Sequence, residues 1–300
     1  MEIALESTNS SSIARALVKA RVAAGSPAMD MVLTLLVVTD DDNVADALRT
    51  ATTLSREHPS RIIGVILGDG RGAGRLNAKV RVGESSSGES VLLRISGELT
   101  KHAESVVLPL LLPDSPVVVW WPGKPPANPS EDAIGRLARR RLTDAEATDS
   151  PVRALRSVAR AYHPGDTDLS WTRLTPWRAL LAAALDQTTG HVTAGTVVAG
   201  TGNPAATLLV AWLESRLKVP ITTRRSDSAQ IASVVLSTSA GDVVIERIDE
   251  VSCHFSVPGS SPREVPLGAR SIAELLAEDL RRLDADDIYE ATIRHMLKEA

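Results

Sequence analysis

One cysteine, Cys253, stands in 300 residues, so no disulfide can close within the chain and no intramolecular thiol switch can operate. Thiol poverty of this kind, with no secretory leader at the start, points to a reducing cytoplasm. Met1 to Ser12 carry Glu2 and Glu6 and then Ser and Thr, lacking both the basic start and the apolar centre of a signal peptide; they are expected to be a frayed arm. Charge of one sign is also missing: 33 Lys plus Arg face 37 Asp plus Glu, a net −4. That balance carries no electrostatic footprint for nucleic acid or for an anionic membrane. No apolar run is long enough to span a bilayer. The most hydrophobic stretch, Val106 to Trp121, is interrupted by Pro109, Pro113, Asp114 and Pro116, short of the roughly 18 to 20 unbroken apolar residues a span requires, and is read as core.

The usual signatures of chemistry are absent too. There is no G-x-S-x-G elbow, no GK[ST] phosphate loop and no H-E-x-x-H helix. The six histidines, at 58, 102, 163, 191, 254 and 295, are scattered with no second His or Cys at a metal-ligand spacing. No catalytic residue, metal or cofactor is therefore expected. The glycine-rich LGDGRGAG, Leu67 to Gly74, follows an apolar run as a dinucleotide fingerprint would. It should then open a helix, yet Arg75 to Val82 alternates and SSSG follows at Ser85 to Gly88, so the segment reads as a loop or hairpin.

What is present is an α/β pattern long enough for two domains. The run MVLTLLVV at 31–38 suits a strand buried on both faces, and Val44, Ala47, Leu48, Ala51 and Leu54 repeat at helical spacing before a second run, Ile62 to Leu67. Residues 89–98 and Val117 to Trp121 read as further strands, with a helix between them that starts near Thr100 and is kinked at Pro109. Helices are expected near 131–140 and 151–162. HPGDTD, His163 to Asp168, is a composition break. The expected division is an arm and helix over 1–28, a mixed α/β sheet domain over 29–165, and an α+β domain over 166–300. In the last, Thr175-Pro176 and Asn203-Pro204 start helices, His191 to Ala199 is a strand, and the period-two stretches Ile231 to Ser239, Val243 to Ile248 and Val251 to Val257 form an antiparallel meander flanked by helices. His254 should face solvent, leaving Cys253 as a small core residue.

Two clusters could bind something. In SREHPSRIIGVI, Arg56, His58 and Arg61 crowd a loop before a strand; they either cap the preceding helix in solvent or grip a carboxylate or phosphate through forked guanidinium donors. In DLSWTRLTPWRALL, Trp171, Arg173, Trp177 and Arg178 combine the residue types enriched where interfaces concentrate their energy, or else the two rings are core plugs. Trp121, beside Trp120 in VVVWWPGKPP, joins the partner-binding candidates, because adjacent strand residues point to opposite faces.

The segments SREHPSRII (Ser55 to Ile63), SVVLPLLLPDSPVVVWWPGKPP (Ser105 to Pro126) and DLSWTRLTPWRALLAAALD (Asp168 to Asp186) resemble the hallmark segments of the glucose-6-phosphate dehydrogenase assembly proteins, the OpcA family. The resemblance spans roughly residues 30 to 255. It implies a non-catalytic assembly factor or allosteric activator whose partner is glucose-6-phosphate dehydrogenase, the NADPH-producing entry step of the oxidative pentose phosphate pathway. Thiol control, attributed to some relatives, would here be limited to intermolecular forms of Cys253. Reading the residues alone keeps two alternatives: a phosphosugar hydrolase or lactonase in which Arg56, His58 and Arg61 bind phosphate, and a small-molecule sensor.

Overall fold

The uninterrupted apolar runs become the middle of a sheet, because a strand hydrophobic on both sides is stable only when both faces are covered. The computed structural model describes residues 1–24, 31–83 and 89–298. Its first sheet is built from β1 (Glu2–Leu5), β2 (Leu33–Thr39), β3 (Ser60–Leu67), β4 (Arg75–Val82), β5 (Glu89–Ser96), β6 (Val117–Trp121), β7 (Arg140–Thr143) and β8 (Asp166–Asp168), in the order β1-β4-β5-β3-β2-β6-β7-β8. Strands β5, β3, β2, β6 and β7 run parallel, while β4 is antiparallel to both its neighbours. The second sheet holds β9 (Val192–Gly200), β10 (Ile221–Ser226), β11 (Ile231–Thr238), β12 (Gly241–Arg247), β13 (Ser252–Ser256) and β14 (Arg263–Pro266), in the order β10-β9-β11-β12-β13-β14. The expected meander is its antiparallel part. The parallel edge strand β10 was not expected, nor was β14.

The chain divides into two units. One is Met1–Asp144 with Ala161–Thr167 and Ile272–Ala285; the other is Ala145–Arg160 with Asp168–Ser271 and Asp286–Ala300. One crossing, at 167/168, falls close to the expected boundary, but the chain also crosses at 144/145, 160/161, 271/272 and 285/286.

In the first unit, helix α1 (Ser10–Ala24) packs on β4, with Ile13, Leu17 and Ala20 in the same core cluster as Leu36, Ile63, Val65 and Trp121. Helix α2 (Val44–Leu54) packs on β2 and β3, and also meets helix α8 (Ile272–Leu280). The N-terminal residues are not a frayed arm. Strand β1 pairs with β4, and Glu2 holds Lys79 at 2.7 Å and Arg81 at 2.6 Å. Only a short helix α3 (Ala103–Val107) follows the 3-10 turn Gly97–His102. Pro109, which has no amide to give the helical ladder, lies in a second such turn, Leu108–Leu110.

The helix expected over 131–140 is replaced by the single turn Gly135–Leu137 and then by β7. Asp132 Oδ1 accepts the amides of Ile134 (2.9 Å) and Gly135 (3.0 Å), a local alternative to helical pairing. A Cβ on residue 135 would lie 1.8 Å from the Pro129 carbonyl oxygen, so only glycine fits there. Gly68 to Gly74 form the loop from β3 to β4, tied by the Gly97 amide donating to Asp69 O at 2.7 Å. It is not a hairpin, because β4 pairs with β5 and β1. Ser85 to Gly88 lie outside the described residues.

In the second unit, helices α4 (Pro151–Arg160), α5 (Leu169–Arg173), α6 (Thr175–Asp186), α7 (Pro204–Leu217) and α9 (Asp287–Lys298) accompany the sheet. Asn203 starts α7 as its sequence suggests, its side-chain oxygen accepting the Ala206 amide at 2.7 Å.

Candidate functional site

The loop after α2 does not assemble its three basic residues. Arg56 is exposed. The His58 ring lies back in the fold, its Nε2 2.9 Å from the Ala277 carbonyl oxygen. Arg61 is the second residue of β3 and only 6 % exposed. Strand geometry carries its side chain into a covered layer, where an unpaired charge would be costly. Its Nε–H donates to the carboxylate of Glu89, itself 2 % exposed, and its Nη1 donates to Leu110 O at 2.6 Å. Arg21 Nε stands 3.1 Å from the other oxygen of Glu89, near enough for charge pairing but without hydrogen-bond alignment. Burial pushes the Arg61 guanidinium below its ordinary value, and Glu89 works against that. Arg61 is thus occupied by protein, His58 is half-buried, and Arg56 is the exposed member of the trio. Trp120 and Trp121 are both buried: a central parallel strand has no open face, so Trp121 contributes to the core and not to the surface.

The segment WTRLTPWR is ordered by two aspartates, Asp168 and Asp286. Asp168 caps α5, with Oδ1 accepting the Ser170 amide and Oδ2 the Ala145 amide, each at 2.9 Å. Trp171 lies in α5 and is 2 % exposed. Its indole N–H donates to Asp286 Oδ2 at 2.8 Å, while Asp286 Oδ1 accepts the amides of Ile288 and Tyr289 at the start of α9. The Tyr289 ring packs at a centroid distance of 5.7 Å. The Arg178 guanidinium lies over the Trp171 ring, 3.7 Å from its centroid, a distance suited to cation–π attraction. Arg178 donates from Nη2 to Thr175 Oγ1 at 3.0 Å, and its buried Nε–H has no acceptor among the described residues. Desolvation lowers its pKa to about 10, with Asp286 pulling it up and Arg270 pushing it down. Trp177 is 4 % exposed, and the Arg247 guanidinium lies 5.8 Å from its ring centroid. Arg173 is half-buried, with Nε 2.9 Å from Glu146 Oε2. The structure therefore joins Trp171 to Arg178, buries both tryptophans, and leaves Arg173 partly accessible.

Two acids essential to these clusters, Glu89 and Asp286, were not singled out from the sequence. Their signals were faint: an acid opening an apolar strand and an acid ahead of a terminal helix. Among the described residues no group of three or more His, Cys, Asp or Glu could hold a metal ion, and no helix is long and apolar enough to cross a membrane.

Cys253 is buried beside exposed His254, as strand alternation requires. Burial pushes its thiol up, with Arg247 opposing. Because the thiolate is the nucleophile, alkylation of the native protein by a maleimide at pH 7 should be slower by about a hundredfold or more than in urea, consistent with attack only through opened states. A native rate near that of a small free thiol would show Cys253 to be accessible.

Comparison with known proteins accounts for most of this chain. Residues 51–160 match the family model described as the glucose-6-phosphate dehydrogenase subunit N-terminal domain, and residues 164–293 match the one described as its C-terminal domain. The chain belongs to this family. Arg56, His58, Arg61 and Trp121 lie in the first matched stretch, and Trp171, Arg173, Trp177 and Arg178 in the second. Strand β1 and helix α1 lie outside both. A curated relative, the "Putative OxPP cycle protein OpcA" of Synechocystis sp., is 26 % identical over 197 residues, which are 62 % of this chain and 38 % of that protein. The chain thus spans well under half the length of that relative. A solved structure, an oxidoreductase from Sinorhizobium meliloti, overlays with a TM-score of 0.44 and 11 % identity, covering 89 % of this chain and 87 % of that one.

Proposed function

We propose that this protein is a non-catalytic assembly factor or allosteric activator that binds glucose-6-phosphate dehydrogenase in the cytoplasm and so supports NADPH formation in the oxidative pentose phosphate pathway. The observation that carries this reading is the occurrence of both dehydrogenase-subunit domains, in order, over residues 51–160 and 164–293. The name of the Synechocystis relative points the same way. Of the expected set, Arg56 is exposed and Arg173 half-buried, and both can reach a partner without unfolding. The buried tryptophans and Arg61 instead hold the shape of the units that present them.

The test is to titrate the purified chain into the dehydrogenase of the same organism, following co-elution and NADP reduction together. Expected are a stable complex, a change in dehydrogenase turnover that saturates, and no turnover by the chain alone. Arg56→Ala with Arg173→Ala should raise the half-saturating concentration by about tenfold or more. Absence of co-elution, or lactone hydrolysis that scales with the pure chain, would replace this reading with the hydrolase one.

A further inference from the structure

Strand β9 runs into the turn Gly200-Thr201-Gly202-Asn203, helix α7 follows, and the chain returns as β10, parallel to β9 with Arg225 beside Ala199 and Ser226 beside Gly200. This is a β-α-β crossover, and in such units the space beyond the carboxyl ends of the strands is where ligands lodge. A cleft of about 640 Å³ lies there, within the range of small-molecule sites. Two arginines from different elements line it, Arg225 of β10 and Arg156 of α4. Among the described residues neither meets an acid, whereas the one lining carboxylate, Glu214, is held by His295 Nε2 at 3.2 Å. The cleft therefore carries two guanidinium groups that are in no ion pair among the described residues.

The turn adds donors. Gly202 has φ +75°, a left-handed conformation that favours glycine, and a Cβ there would meet nothing within 4 Å, so packing is not the reason for the residue. Gly200 is different: a Cβ would lie 2.5 Å from the Ser228 carbonyl oxygen. The amides of Thr201 and Gly202 have no acceptor among the described residues. The end of α7 is already capped by Asn203, so it adds the field of the helix dipole but few donors. Val152, Val210 and Met296 also line the cleft and give it an apolar wall.

We infer that this cleft binds an organic phosphate, with the phosphate on Arg156, Arg225 and the turn amides, and the organic part against the wall. Two forked cations with two amides offer more donors than one carboxylate can use, whereas a phosphate has three oxygens to accept them. The inference stands independently of the dehydrogenase partner, since it uses neither Arg56 nor Arg173 and its titration contains no dehydrogenase.

Calorimetric titration of the full chain at low ionic strength tests it, with adenosine 5′-monophosphate and glucose 6-phosphate as organic probes and inorganic phosphate, adenosine and glucose as controls. One of the two organic phosphates should bind at least about tenfold tighter than inorganic phosphate, and its unphosphorylated counterpart should not bind. Which probe binds separates a nucleotide from a sugar phosphate. Arg225→Gln, on an exposed position, and Arg156→Gln should each weaken that binding about tenfold or more with unchanged melting. The inference is overturned if neither organic phosphate binds, if inorganic phosphate binds as tightly, or if Arg225→Gln binds like the wild type.

Discussion

Arg61→Ala should destabilise the first unit by about 3 to 5 kcal/mol in urea unfolding, because it strands the carboxylate of Glu89 in the core. A whole domain is commonly stable by only about 5 to 15 kcal/mol, so such a loss places the variant near the edge of folding at physiological temperature. Arg21, 3.1 Å from Glu89, retains part of the pairing, which favours the lower end of the range. Arg56→Ala, five positions earlier and exposed, should change stability by less than about 0.5 kcal/mol. The double variant Arg61→Leu with Glu89→Leu should recover much of the loss, since replacing both members of a buried pair by apolar groups is often close to neutral. If Arg61→Ala unfolds with the wild type, the pairing with Glu89 does not carry stability, and Arg61 returns to the candidates for an external anion.

A comparable loss, about 3 to 5 kcal/mol, is expected for Trp171→Ala, which leaves a cavity between Tyr289 and Arg178 and removes a donor from Asp286. Trp171→Phe separates these effects: it keeps most of the packing and loses only the N–H, so about 1 kcal/mol should be lost. Arg173→Ala, which breaks a partly exposed pair with Glu146, should cost less than about 1 kcal/mol. Measuring unfolding and dehydrogenase titration on the same three proteins distinguishes a structural indole from a contacting one. Were Trp171→Ala as stable as the wild type yet a poor activator, the ring would belong to the interface.

The parts of this fold that could be read in advance are those whose physics is local. Strands β2 and β3 announce themselves by apolar runs, α7 by Asn203 followed by Pro204, and β11 to β13 by their approximate period of two. Strand β7 was not legible, because RRLT looks like a solvated segment until its partners are known: Arg140 pairs with Asp279, 139 residues away, and Arg141 with Asp166. Edge strand β10 escaped for the opposite reason, since one exposed side lets TTRRS be polar almost throughout. The candidate site shows the same division. Residue types were visible, but whether Arg61 or Trp171 faces inward depended on Glu89 and Asp286, which no local pattern connects to them.

The return of residues 272–285 to the first unit has a consequence for how the protein is made. Helix α8 supplies the carboxylate that neutralises Arg140, 2.7 Å away and buried, and the carbonyl that meets His58. Residues emerge from the ribosome at about 5 to 20 per second, so Arg140 waits on the order of ten seconds for Asp279 to be synthesised. Throughout that interval Arg140 has no Asp279 to pair with, and strands β9 to β14 are all synthesised before it ends. The first unit therefore cannot be completed until most of the second has been translated.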